Sequence, residues 1–149
     1  LGEVVATEFG RDVAAIPGVG AAGGFGAGAV AFFDAGLVSG VDAVADVVGL
    51  DAALQHVDWV ITGEGRLDSQ SLQGKVVCGV RNRARKAHVH TAVLAGRVQL
   101  DPQLLRREGI ELAQAAAAPG LDDTTAFRNA KELLRKAADL LAGDIENYA

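Results

Sequence analysis

Glu64, Arg66, Asp68 and Lys75 fall within one short run, Ile61-Thr62-Gly63-Glu64-Gly65-Arg66-Leu67-Asp68-Ser69-Gln70-Ser71-Leu72-Gln73-Gly74-Lys75. Two carboxylates at this spacing could hold Mg²⁺, which takes one or two protein carboxylates and completes its shell with phosphate oxygens and water. Either could instead take a proton from a reacting hydroxyl. A guanidinium and an ammonium beside them suit the charge of a transferring phosphoryl group. The spacing is not that of a Walker A loop, because Gly65 lies too far from Gly74-Lys75 and Val76 stands where Ser or Thr is needed. Structural roles remain open for the same residues: Asp68 or Ser71 could cap a helix, Arg66 could pair with Glu64, and Lys75 could be solvated.

A second run, Pro17-Gly18-Val19-Gly20-Ala21-Ala22-Gly23-Gly24-Phe25-Gly26, contains Gly-x-Gly-x-x-Gly at 18, 20 and 23. In a dinucleotide fold these glycines follow a strand. Here they follow the end of a helical pattern, and no clean second strand with a terminal acid comes after, which argues against a nicotinamide enzyme. A helix N-terminus that binds phosphate or carboxylate, and glycine-mediated helix packing, both remain compatible with the run. His56, His88 and His90 lack metal-ligand spacing, and Ser69 and Ser71 have no histidine base nearby for a hydrolase triad. The single Cys78 excludes an internal disulfide and a cysteine-rich zinc site, and reads as a small packed residue. Arg81, Arg83, Arg85 and Lys86 form a basic helix end favoured by the helix dipole.

The elements that must position these residues follow from periodicity. Val5, Phe9 and Val13 at i, i+4 and i+8 predict an amphipathic helix from Glu3 to about Val13. A small-residue helix runs from Gly23 or Gly24 to Ala35, its glycines each lowering helix propensity by about 1 kcal/mol against alanine. Two short helices follow, 39–48 with Ser39 as N-cap and 51–56. Residues 57–62 form a buried strand, after which the glycines and charges of 63–70 predict a sharply turning loop. A helix from about Ser71 to Lys86 puts Leu72, Val76, Val80 and Ala84 on one face. Residues 91–96 form a second buried strand, Asp101-Pro102 opens a short helix ending near Gly109, and a third strand lies within 110–118. Asp122-Asp123-Thr124 caps a last helix with Phe127, Ala130, Leu134, Ala137 and Leu141 inward, stopped at Gly143. Strand and helix alternate from residue 57, which predicts an α/β fold: a three-layer open parallel sheet flanked by helices.

The composition is that of one folded domain over 1–149, with half of its residues hydrophobic and 19 glycines. A net charge of −5 gives no pull toward nucleic acid or an anionic membrane. No apolar run reaches the ~18 residues of a spanning helix; the nearest, 27–41, is broken by Asp34. No signal peptide pattern opens the chain. One cysteine fits a reducing, cytoplasmic setting. The chain has no methionine and opens inside a helical pattern, which reads as a piece of something longer.

The two motifs, in this order and separation, resemble those of bacterial glycerate kinases, and Ala92-Val93-Leu94-Ala95-Gly96 is similar to that family's following strand. Val19 stands for a usual alanine, Ser71 for a usual threonine and Val77 for a frequent proline. The resemblance implies transfer of the γ-phosphoryl of ATP to D-glycerate with Mg²⁺, in a cleft between two α/β domains. It also implies that this chain is the C-terminal part of such a two-domain kinase, without the opening phosphate loop and the inserted domain. Carried over, Glu64 and Asp68 hold the metal or act as base, and Arg66 and Lys75 stabilise negative charge. Gly20, Gly23, Gly24, Gly63 and Ser71 line the substrate site. Partners implied are D-glycerate and ATP, with self-association as a way to cover exposed faces; the alternative is a non-catalytic anion-binding module.

Overall fold

The computed structural model describes residues 2–72 and 76–148 of the chain. These form two compact units, Leu1–Ser39 and Gly40–Ala149.

The first unit holds α1 (Gly2–Phe9) and α2 (Ala21–Phe33). Val5, Val13, Ala27 and Ala31 make its core. Helix α1 is shorter than its periodicity predicts, because Gly10 turns left-handed at φ 63° and ends it; Val13 reaches the core from the segment beyond. Phe9 is exposed and meets the Phe32 ring edge-on at 5.1 Å. Inside α2, Ala22, Gly23 and Gly24 are left-handed, so regular helix begins at Phe25. Glycine adopts that conformation freely, and Ala22 is strained in it. The C-terminal end of α2 is held by the Arg11 guanidinium, which donates to the carbonyls of Val30 and Ala31 at 3.1 and 3.3 Å and pairs with Asp34.

The second unit runs α3 (Gly40–Val47), α4 (Leu50–Leu54), β1 (Trp59–Leu67), α5 (Val76–Lys86), β2 (His90–Val98), α6 (Pro102–Arg107), β3 (Leu112–Ala115), α7 (Asp123–Arg128) and α8 (Ala130–Glu146). The described strands form one parallel sheet in the order β1-β2-β3, with Trp59 opposite His90 and Ala92 opposite Leu112. Right-handed crossovers put α5 and α6 on one face. Accordingly Val77 of α5 and Leu105 of α6 share one core with Leu67, Val93, Ala95 and Ile110. Helix α8 covers the other face, burying Ala137 and Leu141 against β2 and β3. The predicted three-layer parallel α/β arrangement is therefore present.

Four local expectations are corrected. Strand β1 continues through Leu67, so Gly63, Glu64, Gly65 and Arg66 pair with β2 rather than form a loop. Helix α5 is seen from Val76, and Val76 is exposed: the buried set is Val77, Cys78, Gly79, Arg81 and Ala84. The last helical stretch is two helices broken at Asn129, and α8 passes through Gly143 to Glu146. Phe127, 82% exposed, and Leu134 face away from the core.

Two arginines at the basic end of α5, Arg81 and Arg83, are spent internally. The Arg83 side chain, 11% exposed, pairs with Asp42 at 3.1 Å, Asp46 at 2.8 Å and Asp51 at 2.9 Å, joining α3 and α4 to α5. These bonds raise its pKa further above the ordinary arginine value, Asp46 contributing most. Arg81 pairs with Glu108 at 3.0 Å and touches the buried Cys78 sulfur. No helix among the described residues is long and apolar enough to cross a membrane.

Candidate active site

The carboxyl end of β1 carries Gly63, Glu64, Arg66 and, just beyond, Asp68 and Ser71. The glycines there answer to close strand approach. A Cβ on Gly63 would run into the Leu94 carbonyl oxygen of β2, and one on Gly96 would lie 2.5 Å from the Gly65 oxygen. A glycine inside a strand marks such an approach as readily as it marks a turn.

The glycines also change which face the side chains take. Val93 and Ala95 face the core under α5, and so does Val98, an odd step further on. The regular alternation of a strand is thus broken between Ala95 and Val98. In β1 the same happens between Val60, which packs near Ala84 of α5, and Leu67, which packs near Val77. Leu67 and Val98, in register with each other, stay with the α5 core. Arg66 and Arg97, also in register, line a cavity of about 500 Å³ beneath α7 and α8.

After Leu67 the chain makes a tight turn. Asp68 Oδ1 accepts the Gln70 N–H at 2.9 Å, and the Asp68 carbonyl accepts that of Ser71 at 3.0 Å. The Ser71 hydroxyl donates to the Arg66 carbonyl at 3.1 Å and accepts the Asp68 N–H at 3.1 Å. Ser71 is fully buried (0% exposed), so its hydroxyl shapes the turn from inside. Asp68 thus organises its own turn through Oδ1 and its carbonyl.

Glu64 and Arg66 do not pair. Glu64 Oε1 is buried with no hydrogen-bond partner among the described residues. An unpartnered buried acceptor costs about 1–3 kcal/mol, so its presence calls for an explanation. The Arg66 guanidinium is exposed and has no carboxylate partner among the described residues. Arg97, by contrast, donates to the Leu121 carbonyl and pairs with Asp123 at 2.8 Å, which fastens the start of α7 to the sheet. The cap of α7 is Asp122, whose carboxylate lies below its ordinary pKa chiefly because the Thr125 backbone N–H donates to it.

The structure therefore gathers Gly63, Glu64, Arg66, Asp68 and Ser71 at one strand end. Gly20, Gly23 and Gly24 belong to the first unit, where Gly20 precedes α2 in right-handed backbone and Gly23 and Gly24 are left-handed. Lys75 lies outside the described residues. Among the described residues no three of His, Cys, Asp and Glu converge as metal ligands. A hard divalent cation that takes most of its shell from phosphate and water fits that arrangement, and the orphaned Glu64 oxygen is a donor of the right kind. Arg97 and the cavity wall escaped the sequence reading. The signal was there: Gly65-Arg66-Leu67 is echoed by Gly96-Arg97-Val98 at the end of the next strand.

A family model for glycerate kinases matches residues 1–146. The glycerate 2-kinase of Escherichia coli is 37% identical over 145 residues, covering 96% of this chain and 38% of that protein. A glycerate kinase of Halalkalibacterium halodurans is 36% identical over 139 residues, covering 93% and 37%. A crystal structure described as a glycerate kinase 2 from Salmonella typhimurium LT2 superposes with a TM-score of 0.62 at 37% identity, over 96% of this chain and 38% of that one. The chain thus spans little more than a third of the length of these relatives.

Proposed function

The chain belongs to the glycerate kinase family, and on that premise we propose that the protein transfers the γ-phosphoryl group of ATP to a hydroxyl of D-glycerate. In the step, the glycerate oxygen forms a new bond to the γ-phosphorus and the bond from that phosphorus to the β–γ bridging oxygen breaks. The hydroxyl proton passes to a carboxylate and ADP leaves. Such transfers depend on positioning and charge stabilisation more than on covalent help from the protein.

The observation that carries the proposal is the buried Glu64 oxygen at the carboxyl end of a parallel strand, without a hydrogen-bond partner among the described residues and two residues from the exposed Arg66. Ligands in open α/β sheets bind at that end. Glu64 and Asp68 are the candidate proton acceptors and would hold Mg²⁺, which supplies neutralisation of phosphate charge when bound. Arg66 and Lys75 meet the phosphoryl oxygens. Gly63 keeps β1 against β2, and Ser71 fixes the carbonyl and N–H on either side of Leu67, so both act by shaping the site. Gly20, Gly23 and Gly24 are assigned to glycerate through the backbone that opens α2, left-handed at Gly23 and Gly24.

The test is ADP formation by the full-length gene product with and without D-glycerate, beside Asp68→Ala and Lys75→Ala variants. Glycerate-dependent turnover that drops at least a hundredfold in both, with the folded state retained and Asp68→Ala melting slightly lower for its lost Gln70 bond, supports the assignment. Near-normal kinetics in either variant retires that residue's role. A folded protein making no ADP with glycerate leaves the non-catalytic anion-binding reading. The E. coli relative's name points to the 2-hydroxyl. The expected product is therefore 2-phosphoglycerate, whose phosphorus couples to one carbon-bound proton; coupling to two would assign the 3-hydroxyl.

A further inference from the structure

The cavity between the carboxyl ends of the strands and the α7–α8 pair enters the assignments above only through Arg66 on its wall. Its floor is almost free of side chains. Gly65 and Gly96 lie side by side, and the Ala117 N–H donates to the Gly96 carbonyl at 3.0 Å, so the three form one continuous row across the sheet end. Its roof is apolar, with Phe127, Ala130 and Leu134 facing it from the helices. At about 500 Å³ it has the size of a small-molecule site.

We propose that this slot holds the nucleoside of ATP, with the purine lying flat on the Gly65–Gly96–Ala117 floor beneath Phe127, and with Arg66 meeting the phosphates. The inference rests on the phosphoryl-transfer reading above. A flat, largely apolar ring needs a floor without side chains and an aromatic or aliphatic roof, and both are present. D-Glycerate is polar at every heavy atom or next to one, and in this slot its groups would lose their water without replacement. Charge gives the direction. Of the two arginines in the slot, Arg97 is committed to Leu121 and Asp123, and only Arg66 is unpaired among the described residues. Arg66 stands between Glu64 and Asp68 in sequence, so a triphosphate leaving the slot past it arrives at the two carboxylates.

The test narrows the slot from opposite sides. Ala130→Phe fills it from an exposed helix position. Gly65→Ala fills it from the floor, where a Cβ meets nothing within 4 Å. In the full-length gene product, KM for ATP is expected to rise at least tenfold in Ala130→Phe and about threefold in Gly65→Ala, with KM for D-glycerate within twofold of wild type. Binding of a fluorescent ATP analogue, read directly, is expected to weaken in parallel. The direct measurement separates the two readings. A protein that binds the analogue in the slot yet makes no ADP from glycerate overturns the proposed activity and keeps the slot. Turnover with ATP affinity unchanged in both variants overturns the slot and keeps the activity. A loss of melting temperature with both KM values raised together means another part of the protein fills the cavity, and also overturns it.

Discussion

Glu64 carries the sharpest consequence at the scale of single residues. Its Oε1 is buried and has no hydrogen-bond partner among the described residues, and a buried acceptor left without one costs stability. Glu64→Gln is expected to leave the melting temperature equal or higher while lowering kcat at least a hundredfold. Equal activity would show that the carboxylate charge is not used. Asp68 separates geometry from charge in another way. Asn at 68 keeps an oxygen for the Gln70 N–H but removes the carboxylate. Asp68→Asn is therefore expected to melt like wild type and to lose turnover within the hundred- to ten-thousandfold range of a missing general base. Ser71→Ala does the reverse: it deletes a fully buried hydroxyl with two bonds and costs about 1–3 kcal/mol of stability, read by denaturant titration.

Among elements, β1 decides how the site is presented. Gly63→Ala forces a methyl against the Leu94 carbonyl and is expected to destabilise by about 1–3 kcal/mol or more, the usual cost of overpacking. Gly65→Ala, with open space at its Cβ, is expected to melt within a degree or two of wild type. Nothing in the sequence separates these two glycines. Strands within 57–62 and 91–96 were legible because apolar and β-branched residues cluster there, although β1 begins at Trp59 and Ile61 is exposed rather than buried, and Asp101-Pro102 and Asp122 were legible as helix starts. The continuation of β1 through Gly63 to Leu67 was not legible, because glycine and charge signal a turn and a tight strand pairing alike. Phe127 and Leu134 were placed inward on helical spacing alone. Spacing cannot tell a core face from a cavity roof. Asp122 adds a pH dependence. Its folded pKa is lowered, so its contribution is fully present above the unfolded carboxylate value and is lost as pH falls through the lowered one. The melting advantage of wild type over Asp122→Asn is expected to be greatest near neutrality and to vanish in strong acid.

For the molecule as a whole, the chain spans about 38% of its E. coli relative, and large apolar side chains in both units face solvent, Phe33 at 83% and Val47 at 88% among them. The 149 residues are expected to bind a hydrophobic dye and to sediment as larger species when concentrated. Weak dye binding together with a monomeric sedimentation profile would overturn this. Charge is also distributed by role: Arg11, Arg81, Arg83 and Arg97 are spent on tying elements together, whereas Arg66 at the strand end has no carboxylate partner among the described residues. The glycine-rich entry to α2 bears on motion. So many glycines invite a picture of a loose flap, yet the Ala27 N–H is bonded to Val19 and a Cβ on Gly26 would lie 3.0 Å from the Gly18 oxygen. Arg11 clamps the far end of the helix. At Gly26 glycine is used for tightness. Backbone order parameters across 18–26 are therefore expected near the ~0.85 of rigid secondary structure, and a ligand meeting this segment would find its amides already in place, with little entropy left to lose.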